Sequence, residues 1–353
     1  MQHAIVHIGT EKTGSTSIQN FLYKNDALLV KHGYLFPYRS CGLISNFRMA
    51  IQCLNKSDPA LVGMDQRAKN SEEFTSFSEN ADEWREQFQQ GHDNELEKFR
   101  AKRKISTVVY SSEHFHSRIV HESEVERLRA FLLNRFDKVS IIAYVRRQDR
   151  LAISGHNTSI QGGATNGFNF ANIKGKANYF DYLSMLTLWS NVFGSDNVTV
   201  RAYERKRLVD NDVGKDFKSL ILSPEVSTIF DNSNVHYERS NPRLSFSALQ
   251  ALVAFNKMSP QDARFGGVKK ESLRQPLIKV LHNLNDDFGE VLPSRDSAES
   301  FYDRFKSDNQ TVFDNWGDGQ NFSEDFSLFP ANADAIPQID APALLAPLLE
   351  SAK

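Results

Sequence analysis

Lys12 lies in the segment Gly9-Thr10-Glu11-Lys12-Thr13-Gly14-Ser15-Thr16-Ser17, a set of glycines, hydroxyls and one cation suited to holding a phosphate or a similar oxyanion. Gly9 and Gly14 let the backbone turn back so that successive N–H groups point inward. Ser15, Thr16 and Ser17 then open a helix, whose N-terminus favours negative charge. The ordinary P-loop places its Lys directly after the second Gly, as G-x-x-x-x-G-K-[ST]. Here Ser15 holds that place and Lys12 lies two residues before Gly14. A cation in the crown of the loop can reach the bridging oxygen beside the first phosphate, where a leaving group gathers charge. It is less well placed to clamp a terminal γ-phosphate. A Gly-bearing strand-to-helix turn can also arise by chance, so the reading needs a second site.

That second site follows the apolar, β-branched run Val139-Ser140-Ile141-Ile142-Ala143-Tyr144-Val145, where the chain reads Arg146-Arg147-Gln148-Asp149-Arg150-Leu151-Ala152-Ile153-Ser154. The carboxyl end of a buried parallel strand is where open α/β sheets bind ligands, and Arg can grip a phosphate through two parallel N–H bonds. A solvated helix start, with Asp149 as ion-pair partner of the arginines, is the plainer alternative.

In this order the two sites resemble the sulfotransferases that use 3′-phosphoadenosine 5′-phosphosulfate (PAPS). Their loop pattern K-[ST]-G-[ST]-[ST] is matched by Lys12-Thr13-Gly14-Ser15-Thr16, and their Arg followed eight residues later by Ser is matched by Arg146 and Ser154. The resemblance implies that Lys12, Thr13, Gly14, Ser15, Thr16 and Ser17 bind the 5′-phosphosulfate and that Arg146 and Ser154 bind the 3′-phosphate. It further implies a Tyr near the adenine, for which the Tyr203-Glu204 step after Val198–Ala202 is the candidate; a structural Tyr is the alternative. Several cytosolic members carry an adenine-stacking aromatic where this chain has Ser17, so stacking must come from elsewhere. Such enzymes also need a base for the acceptor proton. The sequence Ser111-Ser112-Glu113-His114-Phe115-His116 follows the strand at 107–110, with Glu113 the first choice and His114 and His116 its competitors. The alternative for Glu113 is a first-turn carboxylate favoured by the helix dipole.

The elements that must position these residues read as an α/β protein: a three-layer P-loop-like fold with a central, mostly parallel sheet flanked by helices. Residues 1–222 form the expected PAPS-binding core, with helical insertions around 56–104 anchored by Trp84, Phe88, Leu96 and Phe99. Residues 223–353 form a mainly helical C-terminal region, with helices over Phe246–Phe255, Leu273–Leu284 and Phe301–Phe313. One helix is expected from Ser15 through Val30, and Gly33–Pro37 reads as a short extended turn. The Gly- and Asn-rich stretch between Gly155 and Ala177 reads as a mobile loop, either shaping an acceptor site or a plain surface excursion. Phe265–Lys270 faintly resembles a further 3′-phosphate segment. Pro330–Lys353 reads as a docked helix or a partner-binding tail.

The 353 residues, 40% hydrophobic with a formal net charge of -2, offer no global attraction for nucleic acid or an anionic membrane. Two cysteines, Cys41 and Cys53, without metal-ligand spacing, suggest a reducing compartment. No secretory leader or membrane-length apolar run is evident, so the chain is expected to be cytoplasmic. The resulting expectation is transfer of a sulfuryl group from PAPS to a hydroxyl or amine of a carbohydrate, glycoconjugate or small metabolite, leaving 3′,5′-ADP (PAP), without a metal. A P-loop kinase and a non-catalytic nucleotide-binding module are the alternatives.

Overall fold

The computed structural model describes residues 2–42, 44–55, 72–173, 179–233, 235–237, 244–258, 270–282 and 293–331. The expected segments 56–71, 265–269 and 332–353 therefore lie outside the described residues. The chain divides into two units: Met1–Arg146 with Lys176–Ser240 and Lys306–Phe322, and Arg147–Gly175 with Asn241–Phe305 and Ser323–Lys353. This differs from the expected boundary at 222/223, because the segment after Arg146 joins the C-terminal helices whereas 306–322 returns to the sheet unit.

In the first unit, β1 (His3–Gly9) runs into α1 (Ser15–Lys24) and α2 (Asp26–Lys31), followed by β2 (Tyr34–Leu35). The expected single first helix is broken at Asn25, whose side chain donates to the Phe21 carbonyl and so competes with the helical ladder. After α3 (Phe47–Ile51), the insertion contains α4 (Glu72–Glu79) and α5 (Ala81–Arg100). The chain then forms β3 (Thr107–Ser112), α6 (His114–Ser117), α7 (Glu122–Leu133) and β4 (Lys138–Val145).

The five strands form one parallel sheet in the order β2-β3-β1-β4-β5, with β5 at Val198–Ala202. Side chains alternate between its faces. Ile5, Val109, Ile142 and Tyr144 pack with Ile18, Phe21 and Leu22 of α1 and with Phe217 and Ile221 farther along the chain. On the opposite face Tyr110 meets His92 of α5, their polar atoms 2.9 Å apart. From β1 the chain crosses toward β2 and β3, whereas from β4 it crosses toward β5. The carboxyl ends of β1 and β4 therefore flank the point where the strand order reverses, the usual ligand crevice of such sheets.

The second unit contains α8 (Gln148–Gln161). Next in the chain, α9 (Tyr182–Phe193), α10 (Val213–Ile221) and α11 (Pro224–Asp231) belong to the first unit. In the second unit, α12 (Phe246–Lys257) and α13 (Lys270–His282) pack Ala248, Leu252, Phe255, Leu273 and Leu277 into a core of their own with Ile160. The helix expected over Phe301–Phe313 is two: α14 (Arg295–Asp303) in this unit and α15 (Lys306–Trp316) in the first, separated where the units divide. Among the described residues no helix is long and apolar enough to cross a membrane.

Candidate active site at the carboxyl ends of β1, β3 and β4

The loop after β1 is closed by its own hydroxyls. Thr10 Oγ1 donates to the Tyr144 carbonyl on β4 at 2.5 Å, while Thr13 donates to the Thr10 carbonyl from both Oγ1 (2.5 Å) and N (3.3 Å). The Thr13 hydroxyl is thus spent on shaping the loop. Lys12 and Gly14 both have left-handed backbone, at φ 66° and 80°. For a lysine this conformation costs on the order of 1–2 kcal/mol, strain of a kind that clusters at functional sites. Gly14 is further constrained by close approach, since a Cβ there would lie 2.8 Å from Val213 Cγ1 and 3.1 Å from Tyr203 Cε2.

Gly14 also N-caps α1 without a side-chain hydrogen bond. The Ser15 and Thr16 N–H groups, which precede the first intrahelical bond from Ser17 N to the Gly14 carbonyl at 2.9 Å, thus point toward the place an anion would take. Ser15 is buried, and its Oγ has no partner among the described residues. An orphaned buried hydroxyl beside an uncapped helix start fits a ligand that supplies acceptor oxygens, as a phosphate does.

Arg146 comes two residues after Tyr144, the β4 residue level with Gly9 of β1. Its Nη1 donates to the Lys12 carbonyl at 2.9 Å, and its guanidinium lies 5.6 Å from the Tyr203 ring centre. Tyr203 is held by its own N–H, which donates to the Val145 carbonyl at 2.7 Å. Lys12, Gly14, Arg146 and Tyr203, far apart in sequence, therefore share one corner. Arg147 and Asp149 instead form a buried fork within the second unit, with Nε–Oδ1 and Nη2–Oδ2 at 2.8 and 3.0 Å. Arg147 Nη1 also donates to the Ser323 and Asp325 carbonyls. Ion-pair chemistry thus describes Arg147, while Arg146 belongs to the loop. Ser154 lies half-buried on α8 in the second unit.

Register places Glu113 one residue beyond the last β1–β3 pair, Ile8 with Ser112. Its Oε2 accepts a 2.8 Å hydrogen bond from Gln19 Nε2, one helical turn after Ser15. The His114 Nε2 lies 4.0 Å from Glu113 Oε1; the two side chains are 23% and 30% exposed. Burial lowers the His114 pKa, which the neighbouring Glu113 charge partly opposes. His116 is enclosed: its Nε2 lies 3.1 Å from the Tyr179 carbonyl, and burial pushes its pKa down to about 4. A buried imidazole that bonds a backbone carbonyl is a weak, poorly accessible base, whereas Glu113 keeps a partly open carboxylate.

Sequence reasoning missed three residues here. Gln19 was readable in principle, because Ser15 and Gln19 share a helix face at i and i+4. Glu11 accepts from Tyr179 Oη at 2.9 Å, a pairing across 168 positions with no local signal. Buried His7 on β1 has Nδ1 2.8 Å from Ser111 Oγ, and its Nε2 has no partner among the described residues. Burial drives its pKa down to about 3.

The fold defines a three-layer α/β protein with a strand–loop–helix turn at its sheet crevice. No protein-family model matches the chain, and no solved structure matches it. An uncharacterized protein of Archaeoglobus fulgidus is 28% identical over 242 residues, which cover 65% of this chain and 60% of the relative. The similarity thus spans less than two thirds of that protein's length.

Proposed function

We propose that the protein transfers a sulfuryl group from PAPS to an acceptor hydroxyl or amine. The observation that carries this reading is the position of Lys12 in the crown of a closed loop, its carbonyl held by Arg146. Lys12 thus belongs to the loop itself and not to the helix start, where a kinase-type loop carries its lysine. PAPS supplies an activated sulfuryl group on a 5′-phosphate. The S–O bond to that phosphate breaks, a bond from the acceptor heteroatom to sulfur forms, and the acceptor proton passes to a base.

In this reading Lys12 and the amides of Gly14, Ser15 and Thr16 stabilise the charge left on the 5′-phosphate, the Thr13 and Ser17 amides being taken by the Thr10 and Gly14 carbonyls. Ser15, Thr16 and Ser17 line the helix start. Arg146 binds the 3′-phosphate and Tyr203 contributes to the nucleoside pocket. Ser154 enters as a 3′-phosphate ligand from its spacing to Arg146 alone. Glu113 takes the acceptor proton, and Gln19 orients its carboxylate. The acceptor is a carbohydrate, a glycoconjugate or a small hydroxylated metabolite.

The decisive experiment is a set of calorimetric titrations with 3′,5′-ADP, PAPS, 5′-ADP, and ATP with magnesium. Preference for the two 3′-phosphorylated nucleotides is expected, and a ligand at 100 times its dissociation constant adds about 2.7 kcal/mol to stability. Equal binding of 3′,5′-ADP and 5′-ADP removes the 3′-phosphate assignment, and preference for magnesium-ATP transfers the site to kinase chemistry. Turnover across an acceptor panel then separates an enzyme from a silent nucleotide-binding module.

A further inference from the structure

An open surface cavity of about 330 Å³ lies on the second unit, lined by His156 and Ser159 of α8 and by Asn166, Phe168, Asn169 and Asn172 in the segment that follows, the serine and the asparagines being exposed. None of its described lining residues is Lys, Arg, Asp or Glu. The Phe168 ring is fixed edge-on against Phe170, with centres 4.8 Å apart at 83°. Phe170 stacks on Phe301 of α14 at 4.6 Å and 22°. Arg304 secures the far end of the segment, donating to the Ile173 carbonyl at 3.0 Å while its guanidinium lies 4.9 Å from the Phe301 ring centre. The wall is thus held in place by packing, which reduces the ordering cost of binding.

Its polar groups are partly committed to one another in a way that leaves complementary functions. Asn169 Oδ1 accepts from the Ala171 N–H at 2.8 Å, which leaves its NH₂ as a donor. Ser159 Oγ donates to the His156 carbonyl at 2.7 Å, which leaves its lone pairs as acceptors. His156 is half-buried, and burial lowers its pKa, which favours the uncharged ring. Its centre lies 5.2 Å from that of Phe168.

We propose that this cavity binds a neutral sugar residue: uncharged amides and hydroxyls match the mixed donors and acceptors of sugar hydroxyls, and Phe168 offers an aromatic surface for an apolar sugar face. Among the described lining residues a phosphate or carboxylate finds no cation to replace its hydration. The volume lies at the small end of ligand pockets, ~300–1,000 Å³, and so suits one or two rings. That such a glycan is the sulfuryl acceptor rests on the sulfotransfer reading; that the cavity binds it does not.

The test is saturation-transfer NMR on the full chain with the methyl glycosides of glucose, galactose and N-acetylglucosamine, beside glucuronate, glucosamine and adenosine. At least one neutral glycoside is expected to bind tenfold more tightly than the charged sugars. Phe168→Ala should weaken it at least tenfold and Asn172→Ala severalfold. Asn172 is exposed, so the second variant carries the test even if the first disturbs packing. Absence of neutral-glycoside binding, preference for adenosine or glucuronate, or unchanged binding in both variants overturns the proposal. A parallel 3′,5′-ADP titration separates the two readings. Sugar binding without nucleotide binding upholds the cavity and removes the transferase, whereas nucleotide binding without sugar binding removes the cavity alone.

Discussion

Arg146 Nη1 donates to the carbonyl of Lys12 at 2.9 Å, so the residue that follows β4 holds the crown of the loop that follows β1. The bond bridges 134 positions and fixes a lysine in left-handed backbone. One guanidinium arm serves the loop, while the remaining N–H groups of the fork can serve a ligand.

Arg146→Ala is therefore expected to lower 3′,5′-ADP affinity at least tenfold, with Arg146→Lys intermediate because a lysine cannot reproduce the fork. Arg147→Ala should instead lower stability by about 1–3 kcal/mol, because the buried Asp149 carboxylate loses its two-bond partner and is left with Arg150, whose Nε lies 3.7 Å from Oδ2. Calorimetry and urea unfolding check the two arms. Equal losses of nucleotide affinity in both variants mean that Arg146 has no special part in binding.

Lys12→Ala should reduce turnover by about 10²–10³, the usual cost of losing a donor to developing charge, with a smaller loss in nucleotide affinity. Single-turnover rates at saturating PAPS measure the effect. A variant that binds normally and turns over near the wild-type rate makes Lys12 an ordinary loop cation.

Glu113→Gln should keep shape and nucleotide affinity while losing turnover, because an amide accepts no proton at neutral pH. His114→Asn and His116→Asn should be milder, His116 because its Nε2 already faces the Tyr179 carbonyl. Activity in Glu113→Gln, beside an inactive His114→Asn that still binds nucleotide, moves the base to His114.

Acid should destabilise the fold before carboxylates titrate. His7 is fully buried with a pKa of about 3, against about 6.5 in the unfolded chain. The unfolded state therefore binds the extra proton between those values, so stability is complete above pH ~6.5 and falls as pH drops toward 3. His116, at about 4, adds to the loss between ~6.5 and 4. The urea midpoint should fall from pH 7 to pH 5, and more shallowly in His7→Asn. Identical slopes in wild type and variant leave His7 without this role.

Strands at the centre of the sheet were legible because each is a short apolar, β-branched run, and Thr107–Tyr110 and Val139–Val145 fall within β3 and β4. The loop was legible because Gly9, Lys12 and Gly14 are close in sequence. The break at Asn25 was not, since it depends on a side chain that bonds Phe21 and also His236, 211 positions away. The division of the units was not legible either. A boundary read from composition is continuous in sequence, whereas these units exchange the chain several times.

The sequence by itself determined the α/β class, the parallel strands and the glycine- and hydroxyl-rich turn between β1 and α1, because local periodicity and residue type decide these. Only the tertiary structure decided which arginine meets the loop, because consecutive Arg146 and Arg147 carry the same charge and take different partners. It also enclosed His116 while leaving Glu113 partly open, and it set Glu11 against Tyr179 and His7 against Ser111. Burial and hydrogen-bond partners are properties of the space between strands and helices, and neighbours in sequence can differ in them completely.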